Sequence, residues 1–87
     1  KTLVIYSVDV DKKIAANDEE IKNRYTILSN AIINKKNVTL IYHKKNRIFL
    51  PYTFSFYKNL IYTTGFSYTD NDIRTFNLAE IKDLKKF

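Results

Sequence analysis

The fold is decided by one stretch of the chain, VTLIYHKKNRIFLPYTFSF, which spans residues 38–56. In its first run Val38, Leu40 and Tyr42 face one way and Thr39, Ile41 and His43 the other. In its second run one predicted face consists of Ile48, Leu50, Tyr52, Phe54 and Phe56, which occupy every second position. A period of two is typical of a half-buried β-strand, and the polar HKKN segment between the two runs predicts a turn. Pro51 cannot donate a ladder hydrogen bond, so it marks an edge or a bulge in the second strand. The stretch therefore predicts an antiparallel hairpin.

Three more strand-like segments follow this hairpin and are separated by short polar turns. The strands are rich in β-branched and aromatic residues, and the turns contain Asn and Asp, whose side chains bond their own backbone. In chain order, the prediction is a turn at Lys58-Asn59, a strand over Leu60–Tyr68, a turn over Thr69–Asp72, a strand over Ile73–Leu78, a single helical turn between Asn77 and Glu80, and a short returning strand from Leu84 to Phe87. The C-terminal half of the chain is therefore predicted to be mostly β-strand.

The N-terminal part of the chain is predicted to contain one strand and one helix. The β-branched run from Thr2 to Val10 alternates as a strand requires, and residues 11–16 connect it to the helix. Asn17 and Glu20 have the spacing of a capping box, which begins a helix within residues 17–36 that ends near Asn34. The apolar residues of this helix recur at helical spacing and form one stripe: Ile21, Tyr25, Leu28, Ala31 and Ile32.

Together these elements predict a single β-rich α+β domain. One leading amphipathic helix and several closely spaced strands describe a small antiparallel sheet that curls into an SH3-like or Sm-like barrel, with the helix over one open end. A flatter α+β sheet is the alternative, and the pairing of the N-terminal strand stays open. The chain divides into residues 1–16 for that strand and its connector, 17–36 for the helix and 37–87 for the barrel. Because the chain starts at Lys1 rather than Met, we expect the domain to be excised from a longer protein.

The composition excludes several classes of site. The 87 residues contain no Cys, so a disulfide, a thiolate zinc site and a cysteine nucleophile are impossible. His43 is the single histidine, which excludes two-histidine metal motifs and leaves any Ser-His-Asp triad dependent on that residue. We therefore expect no enzymatic activity, no metal and no cofactor. No apolar run approaches the roughly 20 residues that span a bilayer, and no signal peptide is visible, so we expect a cytoplasmic protein without membrane contact.

Positive charge is concentrated in the middle of the chain. The formal net charge is +6, and residues 21–69 contain 8 basic and no acidic residues, whereas the sums are −2 for residues 1–20 and 0 for residues 70–87. Such a stretch produces a positive field that attracts anions, so an anionic partner is predicted. The alternative is that the lysines only solvate the surface of a protein whose Lys, Asn and Ile content is typical of AT-rich coding. Lys35 and Lys36, for example, suit the C-terminus of the helix.

The stretch from Ile27 to Ile81 resembles the WYL domain, a small Sm-like or SH3-like barrel. The segments that carry the resemblance occur in the family's order: Ile27-Leu28 and Ala31-Ile32 on the helix, Val38–Tyr42 on the first barrel strand, Arg47–Pro51 on the next, Asn59–Gly65 at the signature, and Ile73–Leu78 with Ile81 at the end. Two positions depart from the pattern. The Trp-Tyr-Leu signature reads Ile61-Tyr62-Thr63. Glu80 stands where such domains often have a basic residue, which removes a positive group from the expected ligand site.

The resemblance implies a regulatory module rather than an enzyme. Domains of this family occur mainly in bacterial transcription regulators, where they are thought to bind nucleic acid, nucleotides or other anionic effectors and to signal to an attached DNA-binding domain. No winged-helix or helix-turn-helix element is visible in this sequence. We therefore expect an effector-binding domain whose ligand is single-stranded nucleic acid or a nucleotide. The alternative is a protein-interaction module, in which the barrel or the strand from Thr2 to Val10 forms a homodimer.

Eight residues form the candidate ligand-binding set: Arg47, Arg74, Tyr42, Tyr62, His43, Lys44, Lys45 and Lys58. By resemblance, Arg47 and Arg74 occupy basic positions of the family, and a guanidinium can donate two parallel hydrogen bonds to a phosphate. The alternative for each arginine is an ion pair with a carboxylate such as Asp70 or Asp72 at the rim of the sheet.

The other six members of the set are predicted from their place on the hairpins. Tyr42 and Tyr62 match tyrosines of the family, with packing of their rings in the core as the alternative. The three lysines lie in the predicted hairpin turns and contribute charge with little selectivity. His43 alternates opposite to Tyr42, so its simplest interpretation is as a surface residue of the first hairpin strand.

Overall fold

The computed structural model describes residues 19–87 of the chain. The predicted strand from Thr2 to Val10, the connector over residues 11–16 and the capping residue Asn17 lie outside the described residues.

One helix is followed by five strands. The elements are α1 (Glu19–Asn34), β1 (Val38–Tyr42), β2 (Lys45–Tyr57), β3 (Leu60–Ser67), β4 (Asp72–Asn77) and β5 (Lys82–Lys86), with a single 3₁₀ turn (Leu78–Glu80) between β4 and β5. The strands form one antiparallel sheet in the order β4-β3-β2-β1-β5. The predicted β-rich α+β class with one leading helix is confirmed.

Helix α1 packs on the sheet through the predicted apolar stripe. Tyr25, Leu28 and Ala31 are buried, and Tyr25 stacks on Phe54 of β2 with ring centroids 4.4 Å apart. Arg24 ties the helix to the far corner of the sheet, because its Nη1 donates to the carbonyl oxygen of Leu78 at 3.0 Å. Over residues 19–87, no helix has the length and apolar character that crossing a membrane requires.

The helix ends in a turn that proteins usually build with glycine. The N–H of Lys35 donates to the carbonyl of Ile32 at 3.3 Å, and the N–H of Lys36 donates to the carbonyl of Ala31 at 2.9 Å. These two bonds are the pair that defines a Schellman motif, and Lys35 takes the left-handed φ of 55° that the motif requires. The turn leaves two lysines side by side at the helix end.

Two hairpins connect the first three strands through tight two-residue turns. His43 and Lys44 join β1 to β2, and Lys58 and Asn59 join β2 to β3. All four residues have positive φ, between 49° and 66°, which is the geometry of a type I′ turn. The predicted positions of His43 in a strand and of Lys45 in the first turn were wrong, because the left-handed pair lies one residue earlier than the HKKN composition indicates.

Strand β2 bends at a bulge, as Pro51 indicated. The register with β3 shifts between Pro51 and Thr53. Consequently Phe54 is buried, whereas Tyr52 is 49% exposed, although both lie on the same predicted alternating face. The extra residue in the bulge reverses the direction of every later side chain.

The sheet curls because its two edge strands are joined by a short connection. In a flat sheet of five strands, β4 and β5 would lie about 19 Å apart, since neighbouring strands are spaced by about 4.8 Å. The chain passes between these strands through a compact 3₁₀ turn, and the side chain of Asn77 caps that turn by accepting from the N–H of Ala79 at 2.9 Å. Such a compact connection brings the two edges toward each other at this corner, as in a barrel.

The core lies between α1 and the inward face of the curled sheet. Its buried apolar members are Tyr25, Leu28, Ala31, Val38, Leu40, Phe49, Phe54, Ile61, Phe76, Leu78 and Ile81. Phe49 and Phe76 pack against each other at the centre, with ring centroids 4.9 Å apart. Beyond these two rings the inward face becomes charged, and the candidate site lies there.

Candidate anion-binding site

Two arginines extend the inward face of the sheet past the central phenylalanines. Arg47 lies two residues before Phe49 in β2, and Arg74 lies two residues before Phe76 in β4. Because alternate side chains of a strand share a face, both arginines point the same way as the buried rings. Antiparallel pairing of β2, β3 and β4 then brings the two arginines to the same end of the sheet.

One carboxylate collects the positive groups at this end. Asp70, in the turn between β3 and β4, has a side chain only 5% exposed. Its oxygens accept from Lys45 Nζ at 2.5 Å, from Arg47 Nη1 at 2.6 Å and from Ser67 Oγ at 2.6 Å, and Arg74 Nε lies 3.8 Å away. The bond from Lys45, followed by those from Ser67 and Arg47, lowers the pKa of Asp70 far below its ordinary range. Asp70 is therefore ionised at neutral pH.

Arg47 is the buried member of this cluster. Its side chain is 11% exposed, and the guanidinium carbon lies 5.2 Å from the centroid of the Phe76 ring and 5.9 Å from that of Tyr42. Besides Asp70, it donates through Nη2 to the carbonyl oxygen of Tyr42 at 3.1 Å. Its Nε is buried and has no hydrogen-bond partner among the described residues. Arg47 therefore holds the turn of β1 and the turn after β3 together.

Arg74 and Lys45 are the accessible members of the cluster. Their side chains are 41% and 49% exposed. Arg74 Nη1 donates to Asp72 Oδ2 at 3.1 Å, and Asp72 is itself 64% exposed. Each accessible cation therefore pairs with a carboxylate while keeping part of its surface in water. The ion pairs with Asp70 and Asp72 are the alternative that the sequence offered for both arginines.

A second polar group is built around Tyr42 at the end of β1. The Tyr42 hydroxyl accepts from the N–H of Asn77 at 3.0 Å, and its ring stacks on the imidazole of His43 at 4.1 Å between centroids. His43 Nε2 lies 2.7 Å from Glu80 Oε1, and both side chains are at least half exposed. Burial raises the pKa of Tyr42, and the hydrogen bonds with His43 and Tyr42 lower the pKa of Glu80. Glu80, at the position where the resemblance implies a basic residue, is thus an acceptor for His43.

The remaining predicted residues lie outside the Asp70 cluster. Tyr62 alternates with the buried Ile61 and Thr63, so it lies on the outward face of β3. After burial and the charge of Glu80, the nearby Tyr62 is a further cause of the raised pKa of Tyr42. Lys58 lies in the turn at the other end of β2, with its Nζ 5.3 Å from the centroid of the Tyr57 ring.

Lys44 lies in the first hairpin turn, next to Lys45, and is exposed.

The structure brings together basic and acidic residues that lie in separate segments of the sequence. Of the cluster, Lys45, Arg47 and Arg74 contribute +3 and Asp70 and Asp72 contribute −2, so the local sum is +1. Residues 21–69 contain no acid, yet Asp70 in the next turn and Asp72 at the start of β4 lie at the same end of the sheet.

Ser67 had no predicted role, although its hydroxyl group donates to Asp70 Oδ2 at 2.6 Å and helps to fix that carboxylate. A serine three residues before an aspartate in a turn is a local hydrogen-bonding pattern that could have indicated it. The described residues contain no group of three or more His, Cys, Asp or Glu side chains that could hold a metal ion.

Comparisons with known proteins agree with the fold and with the resemblance to the WYL domain. The WYL domain matches residues 23–86. The structure is similar to that of proteasome accessory factor B/C (PafBC) of Arthrobacter aurescens, with a TM-score of 0.73 and 15% sequence identity over 78% of this chain. The matched part is 12% of the PafBC chain, and at this identity the likeness shows a shared fold. No curated protein matches the sequence. With a match that covers most of its length, the chain belongs to the WYL domain family.

Proposed function

We propose that this domain is the effector-binding part of a cytoplasmic transcription regulator, joined to a DNA-binding domain in the whole protein. Its ligand is anionic, either single-stranded nucleic acid or a nucleotide, and binds at the charged end of the inward face. The observation that supports this proposal is the convergence of Lys45, Arg47 and Arg74 around one carboxylate. Three cations that gather on one acid form a site that also suits a phosphate.

The three cations have different roles in this proposal. Arg47 is too buried to reach a ligand directly, and it positions Asp70 and the first hairpin turn. Arg74 and Lys45 are half exposed, so they turn toward a phosphate by exchanging their contacts with the two aspartates. The Arg74–Asp72 pair is exposed on both sides and is worth little in water, so Arg74 exchanges it at little cost in free energy. Lys45 exchanges a bond with a carboxylate that is only 5% exposed, which costs more.

The aromatic stack beside the cluster provides a place for a base. The imidazole of His43 is two-thirds exposed and rests on the Tyr42 ring, and the chain continues from it into Lys44 and Lys45. Bases stack on exposed rings of single-strand binders while nearby cations contact the phosphates. In this arrangement His43 takes the base, and Lys44 and Lys45 take the adjoining phosphates.

Chemical-shift mapping tests the location of the site. We would titrate the ¹⁵N-labelled chain with a short oligothymidylate and separately with a nucleoside triphosphate. We expect shifts of the Arg74 guanidinium and of the backbone amides in the first hairpin turn and in the turn after β3. The Arg74→Gln variant should bind more weakly, whereas Lys85→Gln, which removes an exposed charge that pairs with Asp83, should not. Shifts confined to the turn at Lys58, or no shifts, would contradict the proposal.

A protein-interaction module is the second candidate, and the outward face of the sheet favours it. Leu50, Phe66 and Ile73 lie in register across β2, β3 and β4, and Ile73 is 48% exposed. Tyr68 contacts the edge of the Phe66 ring, with centroids 5.0 Å apart. Such an apolar row marks a surface for self-association. Sedimentation equilibrium at low and high salt distinguishes the two candidates, because an apolar dimer holds or tightens at high salt whereas phosphate binding weakens.

A further inference from the structure

The lysines of the described chain fall into paired and unpaired groups. Lys45 and Lys85 have carboxylate partners. Lys35, Lys36 and Lys86 form no salt bridge with any residue of 19–87, and they come from two different elements of the fold. These three lysines border the same groove. Their positive charge therefore has no carboxylate partner among residues 19–87.

The groove lies between the second half of α1 and the ends of β1 and β5, and its volume is about 860 Å³. Its apolar lining comes from both layers of the fold: Ile27, Ala31, Val38 and Leu50, with the rings of Tyr68 and Phe87. The amides of Asn30, Asn34 and Asn37 also line the groove, and no acidic residue from the described part of the chain, 19–87, belongs to the lining. A volume of this order fits a drug-sized ligand.

The local structure explains why the lysines meet at this place. The Schellman turn ends α1 with Lys35 and Lys36 next to the start of β1. Lys86 of β5 is in register with Val38, the first residue of β1, and the N–H of Phe87 donates to the carbonyl oxygen of Asn37 at 3.2 Å. The helix end and the last strand therefore approach the same residues of β1 from two sides.

This groove is distinct from the arginine cluster. It lies at the Val38 end of β1, whereas Tyr42 and the first hairpin turn lie at the other end, about 13 Å away along the strand. No residue of the Asp70 cluster lines it. A ligand in the groove would therefore leave the ion pairs of Asp70 in place.

We propose that the groove binds a small amphiphilic carboxylate, with an acyl or aryl body on the apolar floor and its head group among the three lysines. The lysines favour an anion over a neutral ligand, since none of the acidic residues that the structure describes lines the groove. The partial negative charge at the end of α1 opposes the anion, but it amounts to about half an elementary charge against three ammonium groups. A lysine ammonium group acts as a point charge, unlike the planar arginine guanidinium with its paired donors. Three such point charges suit a single carboxylate at the end of an apolar body.

Fluorescence of 8-anilinonaphthalene-1-sulfonate tests this proposal with the 87-residue chain. The dye carries an apolar body and an anionic head, so we expect it to bind the groove and to be displaced by decanoate. Decanol, which has a similar body without the charge, should displace it at least about tenfold less well. Circular dichroism in the near ultraviolet would establish that the protein stays natively packed during the titration.

Lysine variants with a matched control locate the site. The triple variant Lys35→Gln, Lys36→Gln and Lys86→Gln should weaken decanoate binding about tenfold. The control triple variant Lys22→Gln, Lys82→Gln and Lys85→Gln removes the same charge from exposed positions and should leave binding unchanged. The proposal is overturned if both variants weaken decanoate binding equally or if decanol and decanoate displace the dye equally well. It is also overturned if a single-stranded oligonucleotide displaces the dye and decanoate does not.

Discussion

Replacing Arg47 or Arg74 with alanine should separate the structural arginine from the binding arginine. Arg47→Ala removes the donor to the Tyr42 carbonyl, one cation of Asp70 and a guanidinium packed 5.2 Å from the Phe76 centroid, all at a site that is 11% exposed. The lost donor, the lost contact with the rings and the lost packing of the stem together cost about 3 kcal/mol. Arg74 is 41% exposed and pairs with an exposed Asp72, so its truncation costs roughly 1 kcal/mol or less.

Thermal unfolding measures this difference directly. In a domain of this size, about 3 kcal/mol corresponds to a fall in Tm of roughly 12–24 °C, and about 1 kcal/mol to roughly 4–8 °C. We expect Arg47→Ala to fall in the first range and Arg74→Ala to lie at or below the second. If Tm falls by the same amount in both variants, or if Arg47→Ala is as stable as the parent chain, the structural role of Arg47 is refuted. Binding experiments should therefore use Arg74 variants, since weaker binding by an Arg47 variant would also follow from loss of the fold.

Three further predictions concern the bend of the sheet and the ion pairs at its charged end. Gly65→Ala would place a methyl group 2.1 Å from the carbonyl oxygen of Leu50, so we expect the free energy of unfolding, measured by chemical denaturation, to fall by more than about 3 kcal/mol. A fall of less than about 1 kcal/mol would show that the backbone of β2 can move away from the methyl group. Because the pKa values of Asp70 and Glu80 are lower in the folded chain than in the unfolded chain, Tm should be constant above about pH 5 and fall as acid protonates them. An Asp70→Asn variant should show a flatter acid profile. Ser67→Ala removes one donor to the Asp70 carboxylate, so Asp70 should hold Lys45 more firmly, and a labelled single strand should bind about threefold more weakly by anisotropy. Unchanged or tighter binding would show that Asp70 does not compete with the strand for Lys45.

The elements of the fold could be predicted because their signals are local. The apolar stripe that contains Tyr25 and Leu28 and the alternation of Val38 and Leu40 follow directly from the period of the helix and of the strand. The short turn over Leu78–Glu80 was likewise predicted from its capping residue, since Asn77 bonds the backbone two residues later.

The turns and the faces of β2 could not be predicted in detail. An Asn-Gly or Asp-Gly pair usually indicates a type I′ turn, but this chain has His43-Lys44 there, and its one glycine lies inside β3. Gly65 is there because the backbone of β2 approaches it closely at the bulge. Pro51 signalled that bulge, yet only the register with β3 shows which side chains after it turn inward.

The arrangement of charges at the site also depended on tertiary pairing. Arg47 and Asp70 are separated by 23 residues, and they meet because the turn after β3 folds back beside the first hairpin. The sequence named this ion pair and a bound phosphate as alternatives for Arg47, and no local pattern decides between them. Because Arg47 is only 11% exposed, the proposed function gives direct contact with the ligand to the more exposed Arg74 and Lys45.

The most direct test of the proposed function is the salt dependence of single-strand binding, measured by fluorescence anisotropy. If Lys44, Lys45 and Arg74 contact phosphates, log K should fall with log salt with a slope of about −2, which weakens binding about 20-fold between about 50 and 200 mM salt. The double variant Lys45→Ala, Arg74→Ala should lose most of this slope, whereas Lys22→Ala, Lys85→Ala should keep it. No binding at the lower salt concentration, or salt-sensitive binding that the Lys45 and Arg74 variant retains in full, would contradict the proposed anion site.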